Sequence, residues 1–415
     1  MTKSNDNYKD YMYNFMVKIC KEIGPRIGWS ENERKAAYMV RNELENYCDE
    51  VEIETFRYTR SFYMMFRIPI ILNIVGVFLY ILTFFGLGYN INSILSIISV
   101  ACFSLSLIFL IGQYIFNIDI MSIFAPSGQS QNVVGKIKPK NMGAPSGERK
   151  ILIFSGHHDS TWHFPLMDKF KEKFILFMYV TIFFLFGSLI ISIINLIWIL
   201  FAIPFNGILD LITRILYIGC ILFLGIFSIF MIDRNRPTLG AKDNLSGVVT
   251  ILGLGKYLAE NGRPDNVEVW CVSFGSEEGG LHGSKAFVKE HLTELKNAIA
   301  INADTVGEGK IRIAKTELLT KHDPRAIELI DTAANNLNIS HSIIGSGGGR
   351  TDAWSFTEKE IPAATMIALK DGRKMPDNYH TVRDIPENVD QILLKQALEI
   401  NIEIIRVIDN DEFEI

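Results

Sequence analysis

Cysteine is scarce in this sequence, and its spacing shows no pairs. The 415 residues contain five cysteines, Cys20, Cys48, Cys102, Cys220 and Cys271. Small proteins that depend on disulfides carry cysteines at close, recurring spacings. We therefore expect no disulfide framework, and a chain that works in a reducing compartment.

The chain also lacks an excess of basic residues. Its formal net charge is -5 at pH 7, and no basic stripe with interleaved aromatic residues occurs. We therefore expect no nucleic-acid partner. Residues 1–9 are polar and lack the apolar core of a signal peptide, so no cleaved export signal is expected.

Charged residues are missing altogether from three long stretches, residues 68–118, 174–209 and 215–232. Because an apolar run of about 20 residues spans a bilayer core, these stretches predict membrane helices. The four predicted spans are residues 68–88, 93–116, 175–203 and 212–232, joined into two hairpins by turns at residues 86–92 and 204–210. The alternative is a set of buried core helices in a large soluble domain.

Basic side chains flank both predicted hairpins. The flanking residues are Arg57, Arg60, Arg67, Lys136, Lys138 and Lys140 for the first hairpin, and Lys169, Lys171, Lys173, Arg234, Arg236 and Lys242 for the second. Each hairpin returns the chain to the side that it left, and the positive-inside rule makes that side cytoplasmic. We therefore predict a multi-pass protein of the cell membrane, with the segments outside the two hairpins in the cytoplasm. Alternatively, the basic flanks serve to bind lipid head groups.

Helical and strand patterns alternate outside the hairpins. Helical periodicity covers residues 9–23 and 31–47, where Ser30 and Glu33 fit a capping box with each side chain accepting the other's backbone N–H. Strand patterns recur at residues 51–55, 151–157, 267–274, 298–304 and 363–369. The alternation predicts an α/β fold with a mainly parallel sheet sandwiched by helices.

Two adjacent glutamates, Glu277 and Glu278, follow the apolar pattern of residues 267–274 on a glycine-rich turn. Sites in open α/β sheets lie at the carboxyl ends of the strands, which is where this pair falls. Two neighbouring carboxylates at the edge of an apolar sheet cost free energy unless a cation or a shared proton compensates them. The pair therefore prompts a search for metal ligands elsewhere in the chain.

Further candidate ligands lie at similar strand ends or in loops. His157 and Asp159 end an apolar strand and alternate onto the same side of an extended chain, whereas His158 points the other way. The remaining candidates are Asp243 in a turn, Asp304 at a strand end and His380 in a loop.

In their order and flanking residues, these motifs resemble the co-catalytic zinc peptidase family of bacterial leucyl-type aminopeptidases, glutamate carboxypeptidases and glutaminyl cyclases. The resemblance covers residues 131–389 apart from the second hairpin, and Gly24-Pro25-Arg26 resembles the link between the family's N-terminal helices. It implies a mixed, mainly parallel sheet of the zinc exopeptidase type that carries two inserted transmembrane hairpins. The expected segments are residues 1–66, 119–173 and 234–415 for the catalytic domain and residues 67–118 and 174–233 for the hairpins.

The resemblance also implies a role for each candidate. Two zinc ions per chain would be held, the first by His157, Asp243 and Asp304, and the second by Asp243, Glu278 and His380. This ligand set suits zinc, although cobalt or manganese could substitute.

Three neighbouring residues would assist the metal ligands. Glu277 would act as the general base, and Asp159 would orient His157. Tyr379 would hydrogen-bond the developing oxyanion, or would only pack against His380.

Several residues have other interpretations or depart from the family pattern. Asp243 alone is also compatible with a helix cap, and three histidines are expected to be structural or exposed: His158, His163 and His282. Thr351-Asp352-Ala353 stands where the family often has Ser-Asp-His. The family pattern further predicts a cis peptide bond after Asp243, and residues 347–349, all glycine, would let the backbone approach a substrate.

The favoured function is a membrane-anchored di-zinc aminopeptidase that acts on peptides near the bilayer surface. The alternatives are a glutaminyl cyclase-like enzyme, an N-acyl amino acid hydrolase, and a non-catalytic membrane scaffold with a peptidase-like domain. The intact ligand set and Glu277 argue against the scaffold, which has no use for a general base.

Overall fold

The computed structural model describes residues 5–59, 67–114, 116, 118, 126–141, 149–201, 207–208, 211–213, 215–217, 219, 223, 230–345 and 349–413. The chain divides into two compact units. The sheet unit consists of Met1–Tyr58, Gly128–His163 and Asp233–Ile415. The helical unit consists of Thr59–Ser127 and Phe164–Ile232.

The strands all lie in or at the edge of the sheet unit. They are β1 (Glu50–Thr59), β2 (Ser127–Ile137), β3 (Lys150–His157), β4 (Trp162–His163), β5 (Asp233–Pro237), β6 (Val267–Phe274), β7 (Ala298–Ala303), β8 (Lys310–Glu317), β9 (Thr320–Lys321), β10 (His341–Gly345) and β11 (Ala363–Leu369).

The described α-helices are divided between the units. They are α1 (Asn5–Glu22), α2 (Glu31–Leu44), α3 (Arg67–Leu82), α4 (Tyr89–Tyr114), α5 (Pro165–Phe170), α6 (Lys173–Leu200), α7 (Ser246–Asn261), α8 (His282–His291), α9 (Pro324–Asn336), α10 (Ala353–Thr357) and α11 (Gln391–Asp409). Helices α3 to α6 belong to the helical unit.

A nine-stranded sheet forms the centre of the sheet unit, in the order β1-β2-β6-β3-β7-β11-β8-β10, with β9 paired to β8. Strands β6, β3, β7 and β11 are parallel neighbours, whereas β2 and β8 run antiparallel to β6 and β11. The predicted mixed, mainly parallel sheet is therefore confirmed. Four carboxyl ends meet at one edge of this parallel core, as expected for a site.

Alternate residues of the central strands pack on opposite faces of the sheet. Leu152 and Phe154 of β3 join the larger core with α1, α2, α7, α9 and α11. Ile151 and Ile153 join a smaller core with α8 and α10. Both faces are apolar because helices cover both, which is typical of parallel sheets.

The start of α2 differs in one detail from the predicted capping box. Ser30 Oγ accepts the N–H of Glu33 at 3.1 Å, as expected. The Glu33 carboxylate, however, accepts the N–H of Trp29, while the Ser30 N–H donates to the carbonyl of Ile27. Because the Ile27 carbonyl already accepts the Ser30 N–H, the Glu33 carboxylate accepts the N–H of the preceding residue, Trp29, instead.

In the helical unit, α3, α4 and α6 pack together through small and polar residues. Ser99 and Ser106 of α4 donate to carbonyls of α3, at Gly76 (2.7 Å) and Pro69 (2.8 Å). A Cβ at Gly76 would lie 3.0 Å from the ring of Phe103, so the two helices approach closely there. Small residues and hydroxyl groups at helix contacts are common in membrane proteins.

Three helices of this unit are long and apolar enough to cross a membrane, Arg67–Phe85, Tyr89–Gln113 and Lys173–Leu200. They coincide with the first three predicted spans. Most of the fourth predicted span, residues 212–232, and of the turn at 204–210 lies outside the described residues. Four of the cysteines are described, and all four carry free thiols.

Candidate metal centre

His157 is the last residue of β3, and its imidazole is buried. His157 Nδ1 lies 3.3 Å from Asp159 Oδ1. The Asp159 carboxylate also accepts the backbone N–H groups of Glu277 at 3.0 Å and Glu278 at 3.2 Å. One carboxylate therefore orients the imidazole and holds the turn with the two glutamates.

Asp243 lies in a distorted turn, Ala241–Leu245, that leads directly into α7. The peptide bond between Asp243 and Asn244 is cis, as predicted. The carboxylate of Asp384 accepts the N–H groups of Lys242 at 2.8 Å and Asp243 at 3.1 Å, which fixes the backbone of the turn.

The start of α7 approaches two central strands without room for side chains. A Cβ at Gly247 would lie 2.3 Å from the carbonyl oxygen of Ala303 in β7, and a Cβ at Gly156 in β3 would lie 2.7 Å from the backbone of Gly247. This close contact brings Asp243, just before α7, to the ends of β3 and β7. The glycines are therefore needed for the convergence of the site.

Glu277 and Glu278 follow β6 on a turn that begins at Ser276, whose φ is 51°. Ser276 Oγ donates to Glu33 Oε1 at 3.0 Å, and Ser130 Oγ donates to the same oxygen at 2.6 Å. The buried carboxylate of Glu33 thus ties this turn to α2 and β2.

Asp304 and His380 reach the site from the other side. Asp304 follows β7, and its N–H donates to the carbonyl of Met366 in β11 at 2.9 Å. His380 lies in the loop between β11 and α11 with a φ of 51°. The ring of Tyr379 stacks on His380 with 3.9 Å between ring centroids.

These side chains meet in two groups that could each hold a metal ion, one of His157, Asp243 and Asp304, the other of Asp243, Glu278 and His380. Within each group the potential ligand atoms lie within 4.8 Å of one another. The two oxygens of Asp243 face different histidines, at 3.2 Å from His157 Nε2 and 3.1 Å from His380 Nε2. Both groupings coincide with the ligand sets that the resemblance implies.

Burial and mutual repulsion raise the pKa of Glu277, Glu278 and Asp304, whereas for Asp243 burial is outweighed by the two histidines, which lower its pKa. Burial raises the pKa of Glu277 well above its ordinary value; the charge of His157 opposes this, and those of Glu278 and Asp304 add to it. Burial likewise raises the pKa of Glu278 and Asp304. Burial lowers the pKa of His380, but the carboxylates of Glu278 and Asp243 outweigh it and raise this pKa to about 10. Such a cluster favours positive charge, which a divalent cation supplies.

The donor atoms fit a metal such as zinc. Each group combines imidazole nitrogen with carboxylate oxygen, the ligand set of many zinc sites. Glu278 Oε1 is buried and has no hydrogen-bond partner among the described residues, so it is available as a ligand. A buried oxygen without a partner is costly unless a cation binds it.

The other predicted histidines make structural contacts. His158 Nδ1 lies 2.9 Å from Ser273 Oγ, and burial lowers the pKa of His158 to about 3. The ring of His282 stacks on Tyr58. Within the described part of the chain, neither histidine belongs to the two candidate groups.

The sequence predicts no role at the site for four residues that support it: Arg26, Glu33, Lys242 and Asp384. Arg26 is fully buried and donates to the carbonyl oxygens of His158 at 2.6 Å and Gly240 at 3.2 Å. In the sequence, Arg26 stands out only as part of the motif Gly24-Pro25-Arg26. The other three act on backbone groups or hydroxyls that are distant in sequence, and no local pattern reveals such contacts.

Residues 228–405 match peptidase family M28. The M28 segment contains Asp243, Glu277, Glu278, Asp304 and His380, while His157 and Asp159 precede it. The predicted resemblance to the zinc peptidases is confirmed.

The chain is also similar to individual proteins. It is 29% identical over 164 residues to Aminopeptidase YwaD of Bacillus subtilis (strain 168). The aligned segment covers 38% of this chain and 35% of that protein. The chain thus spans about a third of the length of this curated relative.

Solved structures share the fold across nearly the whole chain. The structure of BSAP, a zinc aminopeptidase from Bacillus subtilis, has a TM-score of 0.55 and 16% identity, covering 96% of this chain and 94% of that one. The structure of an Acidobacteriales bacterium glutaminyl cyclase also has a TM-score of 0.55, with 14% identity and coverage of 97% and 95%. At these identities the similarity establishes the zinc exopeptidase type of fold.

Proposed function

We propose that this chain is a membrane-anchored, zinc-dependent aminopeptidase with two zinc ions. The observation that carries the proposal is the pair of candidate metal groups that share Asp243. Glu277 Oε2 lies 3.7 Å from His157 Nε2, so a group able to exchange protons stands beside the first set of ligands.

Each ion would have three ligands from the chain. His157, Asp243 and Asp304 would hold the first ion, and Asp243, Glu278 and His380 the second, with Asp243 as the bridge. Bound zinc would lower the pKa of a water molecule and polarise the carbonyl of the scissile peptide bond.

The chain's own residues would move the proton and hold the geometry. Glu277 is the general base, which takes a proton from the attacking water and delivers it to the leaving amine. Asp159, whose Oδ1 lies 3.3 Å from His157 Nδ1, would keep that imidazole in one tautomer with Nε2 facing Asp243. It also fixes the direction of Glu277, because its carboxylate binds the N–H of that residue.

The hydroxyl of Tyr379 is a candidate donor to the oxyanion. Burial and the surrounding carboxylates, Asp243 and Glu278 among them, raise the pKa of Tyr379 well above its ordinary value. The hydroxyl therefore remains protonated at neutral pH and able to donate a hydrogen bond.

The helical unit supports a membrane location for the enzyme. We propose that the apolar helices anchor the chain in the cell membrane with the metal groups in the cytoplasm, as the basic flanks predict. Peptides at or near the bilayer surface would then be the substrates.

The test is mass spectrometry of a mixed peptide pool incubated with detergent-purified full-length protein and zinc. We expect single N-terminal residues to be removed, and this activity to disappear with a chelator. Glu277→Gln should lower the rate by roughly 10²- to 10⁴-fold, the usual contribution of a general base. Because glutamine keeps the size of the side chain, zinc content should stay at the wild-type value. Peptides that remain intact, although zinc is bound, would contradict the aminopeptidase proposal.

A glutaminyl cyclase activity is the second candidate, since similar structures include several glutaminyl cyclases. The same experiment separates the two. A cyclase would convert only peptides that begin with glutamine, with loss of ammonia and no loss of a residue. Hydrolysis of acylated amino acids instead of peptides would favour the N-acyl amino acid hydrolase.

A further inference from the structure

Lys242 precedes the shared ligand Asp243, and its side chain is buried, with 1% exposure. Lys242 Nζ donates to Glu308 Oε2 at 3.0 Å and to the carbonyl oxygen of Asp377. Asp377 lies three residues before His380. A buried ammonium group thus connects the turn of Asp243 with the loop of His380.

Glu308 completes this connection from a third segment of the chain. It lies four residues after Asp304 and is also buried. While its Oε2 accepts from Lys242, its Oε1 accepts the backbone N–H of Asp377. Lys242 and Glu308 therefore bind both backbone polar groups of Asp377 and connect the three segments that bear Asp243, Asp304 and His380.

The other end of the His380 loop is attached to Lys242 and to its neighbour Asp243. The carboxylate of Asp384 accepts the N–H groups of Lys242 and Asp243, and the Asp384 N–H donates to the carbonyl of Thr381 at 3.0 Å. Residues 377–384 are therefore attached at one end to Lys242 and Glu308 and at the other end to the backbone of Lys242 and Asp243.

The loop needs such attachment because its backbone is unfavourable. Asn378 and His380 have φ values of 64° and 51°, in the left-handed region that residues other than glycine rarely adopt. A residue remains in this region only where the surrounding contacts fix it. The contacts at Asp377 and Asp384 provide that restraint on either side of His380.

We propose that Lys242 and Glu308 are positioning residues for the second ion. They hold the loop so that His380 stands opposite Asp243 and Glu278, and they set the affinity of that site separately from the first. The proposal rests on the two-ion function proposed above. It assigns a task to a buried ion pair that the catalytic steps leave unused.

The packing of Lys242 offers a way to disturb the pair without changing a charge. A Cβ at Gly307 would lie 2.6 Å from Lys242 Cγ, so Gly307→Ala would displace the lysine stem. Glu308→Gln keeps the shape of the side chain but removes its charge, and Lys242→Met removes the ammonium group. Three variants therefore disturb the same contact in different ways.

The test is zinc titration of detergent-purified full-length protein against a competing chelator, with cobalt absorption spectra as a second readout. Wild type should bind two ions in two steps, and His380→Ala should define the loss of the second step. For Glu308→Gln, Gly307→Ala and Lys242→Met, we expect the second step to weaken by about 10- to 100-fold, as for other residues that orient metal ligands. The first step should change much less. Lys321→Met, at an exposed lysine of the same unit, is the matched control and should bind like wild type.

Two results would overturn this proposal while leaving the proposed function intact. One is two-step zinc binding that is unchanged in the variants, and the other is equal weakening of both binding steps. A wild-type protein that binds no zinc would overturn the proposed function and this proposal together. If Lys242→Met fails to fold, Gly307→Ala and Glu308→Gln decide the question, since both keep the ammonium group.

Discussion

Asp159 contributes to the site through three contacts of one carboxylate. It faces His157 Nδ1 and accepts the N–H groups of Glu277 and Glu278. We expect Asp159→Ala to weaken binding of the first zinc by about 10- to 100-fold, because the imidazole loses its orienting partner. The turn that holds Glu277, the proposed general base, also becomes loose, so kcat should fall even when zinc is saturating.

Isothermal titration with zinc and peptide kinetics at saturating zinc measure these two effects. Asp159→Asn is the matched control, because its amide oxygen can still make one of the three contacts. We expect its losses to be smaller than those of the alanine variant. Equal zinc affinity in Asp159→Ala and wild type would show that His157 needs no orientation from this residue.

Glu33 predicts a dependence of stability on pH. Burial, with a smaller contribution from Asp159, raises the pKa of Glu33 from 4.5 to about 8. Between these values the folded state keeps a proton that the unfolded state releases, so rising pH favours unfolding. In this window the contribution of Glu33 to the free energy of unfolding should fall by about 1.4 kcal/mol per pH unit.

The measurement is the unfolding free energy of wild type and Glu33→Gln between pH 5 and pH 8, as an order-of-magnitude test of this linkage. The variant should lose less stability over this range, because its amide does not titrate. Its stability at pH 5 should be lower, since the amide cannot accept from Trp29 and from both serines at once. Parallel pH profiles would contradict the assigned pKa shift.

At the scale of elements, the contact of α7 with β3 and β7 brings the candidate ligands together. Gly247→Ala would push a methyl group against the carbonyl of Ala303, and we expect it to cost roughly 1–3 kcal/mol of stability, as overpacking does. Zinc affinity should fall as well, because Asp243 directly precedes this helix.

Gly255 in the same helix is the matched control. A Cβ there would lie 3.5 Å from its nearest neighbour, which is ordinary contact. Gly255→Ala should therefore leave zinc binding unchanged and stabilise the protein by up to about 1 kcal/mol, the difference in helix propensity. Thermal unfolding and zinc titration of both variants provide the comparison. Similar values for the two would show that the close approach at Gly247 is not required.

At the scale of the whole molecule, three apolar helices and their basic flanks predict a membrane protein with one orientation. We expect the full-length chain to stay in the membrane pellet after alkaline extraction of expressing bacteria. A green fluorescent protein fused to the C-terminus should fluoresce, because it folds in the cytoplasm. Alkaline phosphatase fused to the same end should be inactive. An active phosphatase fusion would reverse the predicted orientation.

Much of the fold follows from local patterns in the sequence. The predicted strand at residues 267–274 coincides with β6, and the one at 363–369 with β11. Buried parallel strands are continuous apolar runs that end in polar residues, so their limits are visible in the chain. The apolar helices are equally visible, because a stretch without charge that is long enough to span a bilayer is rare in other proteins.

The candidate ligands are also predictable from the sequence, since imidazoles and carboxylates at strand ends form a recognisable ordered series. That these side chains meet in space is only a hypothesis at the level of the sequence. Asp243 and His380 are 137 positions apart in the chain, and no local pattern determines how close they lie in the fold.

Only the tertiary structure revealed the residues that support the ligands. Glu33, Asp384, and the pair of Lys242 with Glu308 bind groups on segments remote in sequence. A hydrogen bond depends on where the backbone of a distant segment lies, and that position is decided by the packing of helices on the sheet. The sequence by itself thus determined the strands, the apolar helices and the types of ligand, because each depends on local composition. The folded chain decided which buried charges meet, because their pairing depends on long-range contacts.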